Sequence, residues 1–233
     1  MKQMTILGLL MAILAITSCN RDDLQYSCDP VINAWTKANI HEIQAMNRAD
    51  FLNLDDANQR GAYRAMTSEQ RIQIWIGKIN QVLFLEWNER ERVHIEKLRV
   101  FIDENAMLFG RDVYVEYQDI IELEAYKWGD FALNELGWTP ELIYAIAGNP
   151  NDIIQLEQGK VGNVYLHSET IDGVVTKNVT PKTTCDCHWT ESNMFMCSNS
   201  GENCIDREIS GCEMTSFGCG LLWLAPCHGL CKK

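Results

Sequence analysis

The chain has 233 residues, 46% of them hydrophobic and 22% charged, so it can bury a sizeable core and is not disordered along its length. Its formal net charge of -12 argues against a nucleic-acid partner, which needs clustered Lys and Arg, and disfavours an anionic membrane surface.

Residues 1–19, MKQMTILGLLMAILAITSC, place one Lys ahead of an apolar run from Ile6 to Ile16 and end on small polar residues and Cys19. The run is too short to cross a bilayer and reads as an export signal. ITSC resembles a bacterial lipobox, which implies that the Cys19 thiol is diacylated and becomes the new N-terminus. Two acyl chains would tether the chain stably without spanning the membrane. The following NRDDL resembles the tag that sends lipoproteins of the Bacteroidota to the outer face of the outer membrane.

Residues 20–148 read as a helical leader domain, a bundle of four to five helices. In CDPVINAWTKANIHEIQAM, Asp29 is a candidate N-cap with Pro30 at the first helical position, and Ile32, Trp35, Ile43 and Met46 fall near one face. TSEQRIQIWIGKINQVLFLEW opens on a capping box, Thr67 and Gln70, and carries a stripe of Ile72, Trp75, Ile76, Ile79, Val82 and Leu83. ERERVHIEKLRVFIDENAMLF turns Ile95, Leu98, Phe101 and Ile102 inward and leaves its charges on the wet side. RDVYVEYQDIIELEAYKWGDFALNELG predicts a further helix ending at Gly137 as a left-handed cap, and Thr139 with Pro140 starts a short one that stops near GNPN.

The bundle shows no chemistry. Trp35, Trp75, Trp87 and Trp128 are expected in the core, and His41 and His94 at the surface or an edge. Phosphate-loop, zinc-protease and serine-elbow motifs are missing, and no nucleophile comes with a base and an orienting group. The expectation is a protein that is not an enzyme, with no catalytic residues, no cofactor and no metal.

Residues 149–184 read as an extended connector rich in Thr, Val, Gly and Asn, with a short hairpin around Asp172 and Gly173. As exposed extended chain it suits a protease, and bundle and tail are expected to fold as separable units on either side of it.

Residues 185–233 form a small cysteine-rich module holding Cys185, Cys187, Cys197, Cys204, Cys212, Cys219, Cys227 and Cys231. In an exported chain this density means disulfides, because so small a piece cannot offset its chain entropy by apolar burial alone. Cys185 and Cys187 are not expected to pair with each other, and the remaining connectivity stays open. Cys28 stands apart from the module. Metal binding is the competing use of these cysteines, through Cys185, Cys187 and His188 or through Cys227, His228 and Cys231.

The C-x-C at 185 and 187, the single cysteines at 197, 204 and 212, GCGLLW from Gly218 to Trp223, and CHGLC from Cys227 to Cys231 together resemble the fulvocin C family of small cysteine-rich bacteriocins. The helical part, with AMTSEQRIQIWIGKI ahead of a charged amphipathic segment, resembles the long leader of fulvocin C-related precursors of the Bacteroidota. The resemblance implies an antibacterial peptide released from a larger precursor by a processing protease, acting on the envelope or an outer-membrane receptor of target cells. Phe217, Leu221, Leu222, Trp223 and Leu224 are the candidate membrane or receptor contact, with Trp189, Met194, Phe195 and Met196 as a second group. The alternative is a surface lipoprotein whose cysteine-rich tail is a binding or adhesion module that is never released.

Overall fold

The computed structural model describes residues 24–27, 29–111, 113–153, 185–188, 195, 197, 203–210 and 214–232. The expected export signal, Cys19, Cys28, most of the connector with its hairpin at Asp172 and Gly173, Trp189, Met194, Met196 and Cys212 lie outside the described residues. The chain is mainly helical, with a small C-terminal strand region that carries the disulfides. No helix among the described residues is long and apolar enough to cross a membrane.

Local capping chemistry sets most helix boundaries. Asp29 accepts from the N–H groups of Val31 and Ile32 to start α1 (Pro30–Ala38). Asn39 then interrupts the helix expected through Met46, its side-chain amide donating to the Trp35 carbonyl over 2.7 Å, and α2 (Ile40–Ile43) follows as a separate turn. Asn47 and Asp50 box the start of α3 (Arg48–Leu52), and Asp55 caps α4 (Asp56–Ala65). The predicted Thr67 and Gln70 capping box is formed and starts α5 (Ser68–Leu83). Asn88 and Glu91 do the same for α6 (Glu89–Glu104), followed by a 3-10 turn over Ala106–Phe109. α7 (Tyr114–Asn134) leads to Gly137, whose φ of 70° is the predicted left-handed position, and α8 (Pro140–Ala147) is capped by Thr139.

Two features of this packing depart from the sequence pattern. The buried face of α5 is centred on Arg71, Ile74, Trp75, Lys78, Ile79 and Val82, with Ile72, Ile76 and Leu83 at its margin. Two cations stand at inward positions, so hydropathy alone rotates the face. The second is α4, which sequence periodicity misses because it is buried nearly all round: Gln59, Gly61, Ala62, Tyr63, Arg64 and Ala65 are all covered. A Cβ on Gly61 would come within 2.5 Å of Thr36 Oγ1, so the glycine lets α4 lie against α1.

The chain leaves α8 under tight control. Arg48 donates to the Pro150 carbonyl over 3.0 Å and pairs with Asp152 at 2.6 Å; Gln59 reaches Asn151 Oδ1 at 2.8 Å and Gln81 the Ile153 carbonyl at 2.9 Å. Lys78, with none of its surface exposed, donates to the Asn151 carbonyl. Burial pushes its ammonium down from 10.5 to about 7, with Asp152 acting against the shift. An unfolded Lys78 holds a proton between pH 7 and 10.5 that the folded one has released, so stability must rise across that interval. The urea midpoint is expected to climb from pH 7 to pH 10, and Lys78→Met should flatten the climb; an unchanged slope would refute the assignment.

In the C-terminal region β1 (Asn203–Asp206) pairs antiparallel with β4 (Gly229–Lys232), and β2 (Thr215–Cys219) with β3 (Ala225–Cys227) across a bulge; a helical turn, α9 (Arg207–Ser210), follows β1. Disulfides join Cys187 to Cys204, Cys197 to Cys231 and Cys219 to Cys227; Cys185 is disulfide-bonded too, and not to Cys187. Within CHGLC, Gly229 has a steric reason, because a Cβ there would lie 2.5 Å from Cys204 Sγ and 3.0 Å from Cys187 Sγ.

Helices and strand region do not have separate apolar cores. The strand region keeps two small clusters built mainly of half-cystines, but Phe195, Phe217, Leu221, Leu222, Trp223 and Leu224 belong to the same core as Phe51, Tyr63, Trp75 and Ile79. The tail was expected to rely on its disulfides, and its large apolar side chains join the core of the helices. The physical reason is size: disulfides staple the strands, and the large side chains find cover only among the helices.

Candidate functional site

The segment GCGLLW forms a plug that enters the helical part. Gly218 (φ 114°) and Gly220 (φ 71°) take left-handed backbone at no steric penalty, after which Leu222 (φ 50°) and Trp223 (φ 55°) take it without that freedom. Two successive non-glycine residues in this region cost on the order of 1 to 3 kcal/mol each, and persist only where surrounding contacts impose them. The contacts are aromatic. Trp223 meets Tyr63 edge to face at 5.1 Å, Trp75 at 6.4 Å and Phe51 at 6.5 Å between ring centroids. Its indole N–H donates to the Gly148 carbonyl over 2.9 Å, at the end of α8. Tyr63 receives the Trp75 indole N–H at 3.1 Å and donates to the Leu222 carbonyl at 3.3 Å. Burial holds its hydroxyl well above the usual phenol range, which keeps that proton in place.

Three arginines surround the plug. Arg60 donates to the Gly218 carbonyl and stacks over Trp223 with its guanidinium carbon 4.8 Å from the ring. Buried Arg64 donates from Nε to the Phe217 carbonyl over 2.7 Å, from Nη2 to Thr215 Oγ1 over 2.9 Å and from Nη1 to the Tyr26 carbonyl over 3.1 Å. Arg71 lies 4.7 Å over the Phe217 ring. A planar fork of donors suits this work, since it satisfies several carbonyls of an irregular segment at once.

A second, polar contact fastens the strand region to α7. His188 directs Nε2 at Glu122 Oε1, 2.7 Å away, and Nδ1 at the Pro226 carbonyl, 2.9 Å away. Both partners are acceptors, an arrangement that suits a ring set against a carboxylate. Tyr114 donates to the same Glu122 oxygen over 2.5 Å. These hydrogen bonds overcome the effect of burial and hold the Glu122 carboxyl below the usual carboxylate range. His228 packs on His188 with centroids 4.6 Å apart and faces Asp206 at 3.7 Å; burial, then the neighbouring His188 ring, push it down from 6.5.

The sign of the pH dependence follows. Groups with depressed folded values stabilise the contact above their ordinary values and lose that contribution as pH falls. His228 therefore begins to weaken the contact below about pH 6.5, and Glu122 adds its loss below about 4.5. Glu122→Gln is expected to cost about 2 kcal/mol at neutral pH, the worth of a hydrogen bond to a charged group, and to remove the lower part of the acid slope. Urea midpoints at pH 4 to 8 test this; a variant with the parent slope would exclude the pair as the origin.

Phe217, Leu221, Leu222, Trp223 and Leu224 come together, and all are buried in the plug rather than presented outward. Phe195 of the second group is buried against Trp128. The sulfurs of both groupings considered for metal are held in disulfides, and His188 is held by Glu122. Trp75 and Trp128 are fully covered, with Trp35 and Trp87 packed at the core edge, and His41 is exposed. His94 is the correction: it is 2% exposed, stacked on Trp128 at 4.7 Å and Phe131 at 4.8 Å. Its Nε2 hydrogen donates to the Trp128 carbonyl while buried Nδ1 meets no partner, so charging it is unfavourable and burial lowers it to about 4.

Sequence reasoning missed Arg60, Tyr63, Arg64, Arg71 and Glu122. The Asp55 cap was the one local signal for α4; nothing in the pattern marks its arginines as contacts for residues more than a hundred positions away. Comparison with family models, with curated proteins and with solved structures finds no match to this chain.

Proposed function

We propose that the chain is the precursor of a small disulfide-stapled antibacterial peptide, residues 185–233, carried on a lipid-anchored helical leader that keeps the peptide silent. The observation behind this reading is the covered plug. Phe217, Leu221, Leu222, Trp223 and Leu224, suited to a membrane or an outer-membrane receptor, are buried among the helices of the uncut chain. Processing in the connector, loss of the helical cover and exposure of the loop would then be the activating sequence. The test is direct: cut the purified oxidised protein in the connector, isolate the tail in denaturant without reductant, dilute it and measure growth of related bacteria. Inhibition that disappears on reduction supports the reading, and a tail that inhibits nothing over a broad panel of relatives overturns it.

The same burial favours a second reading, a surface lipoprotein whose cysteine-rich region is a binding module and stays in place. A tail that shares its core with the helices is built to remain. An antibody to the tail separates the two: a free fragment in the medium supports the peptide precursor, and an exclusively cell-bound full-length chain supports the module.

A further inference from the structure

We propose that cutting the connector does not by itself free the tail, because the helical part holds it in a one-to-one noncovalent complex and so acts as its neutralising partner in trans. The idea that the tail is an effector to be neutralised rests on the reading above; the retention itself rests only on geometry. Three contacts fasten the tail, and each lies outside the connector. Trp223 sits among Phe51, Tyr63 and Trp75 with its indole N–H on the Gly148 carbonyl. The guanidinium groups of Arg60 and Arg64 bind the carbonyls of Gly218 and Phe217. Glu122 holds His188 from α7. A buried tryptophan centred among aromatic rings and arginines is the composition of an interface hot spot, and polar contacts around it exclude water. A connector of this length supplies only an effective concentration, about millimolar, so its loss matters little to a contact whose own dissociation constant is below about 1 μM. The helical part also retains its clamp on residues 150 to 153, ahead of any cut, so the pocket rim at Gly148 survives processing.

The experiment uses the full chain with a sequence-specific protease site inserted between Thr170 and Ile171. After complete cutting, the protein is run on size exclusion at 1 μM and below, and on a denaturing gel without reductant. Expected are two bands on the gel and one peak on the column, at the position of the uncut chain. Separate peaks would overturn the proposal, and so would a single gel band, since retention would then be covalent. In the cut chain, Trp223→Ala should raise the dissociation constant at least about thirty-fold. Because that variant could fail to fold, Arg60→Ala, at the half-buried pocket edge, gives a second measure and should weaken retention in the same direction; unchanged retention in both would place the hold elsewhere and refute this pocket. Growth inhibition by the denaturant-freed tail is scored separately, so a tail that is retained but inactive sinks the peptide reading and leaves the retention intact.

Discussion

Replacing Trp223 by Ala is expected to destabilise the whole chain by about 3 to 5 kcal/mol, the range for deleting a buried aromatic side chain where the surroundings relax only partly. Trp223 is 3% exposed and touches three other aromatic residues, so few atoms can move in to fill the space. The change also leaves the Gly148 carbonyl without its indole donor and Arg60 without its ring. The loss should be cooperative, lowering the urea midpoint of helical circular dichroism and opening the strand region to protease together. Phe84→Ala, at a side chain 94% exposed, is the control and should stay within about 0.5 kcal/mol. A Trp223→Ala midpoint close to that control would show that the plug contributes little and that the shared core is not cooperative.

The disulfides should rank by the loops they close. Cys197 and Cys231 are 34 positions apart, Cys187 and Cys204 are 17, and Cys219 and Cys227 are 8. Chain-entropy restriction of the unfolded state then gives about 4, 3 and 2.5 kcal/mol respectively for removing each bridge as a double alanine variant. The Cys197→Ala, Cys231→Ala variant is expected to lose most, and it also unfastens β4 at Cys231, the residue that faces Cys204 of β1. Thermal melts of the three double variants provide the ranking. If the short Cys219–Cys227 loop proved the most damaging, native-state packing of the plug would outweigh chain entropy, because that bridge spans the plug.

Local structure was legible in the sequence wherever a cap or a special backbone residue marked it. Asp29 with Pro30, Thr67 with Gln70, Thr139 with Pro140, and Gly137 all act where the pattern placed them. Those are interactions between residues a few positions apart, and periodicity reads them well. What was not legible is long-range. The inward cations Arg71 and Lys78 break the apolar stripe of α5, and α4 has polar residues on a covered face, so hydropathy assigns both wrongly. His94 was misplaced for the same reason: its charged neighbours in sequence describe the wet side of α6, while its own position faces Trp128. The candidate contact residues of the tail were gathered correctly as a group, but their burial depends on a pocket whose walls come from α3, α4 and α5. No local rule reports that.

The placement of α4 also sets when folding can finish. Tyr63 and Arg64 lie early in the chain, yet their hydrogen-bond partners Leu222 and Thr215 lie 159 and 151 positions further on. Until the plug arrives, the centre of the helical part faces water where it will sit, and early helices can form without locking together. Contacts of such high sequence separation are closed last and slow the rate-limiting step. A chain cut short before Phe217 is therefore expected to remain loosely packed at its middle, and arrival of the plug is sensed, in effect, by the second quarter of the sequence.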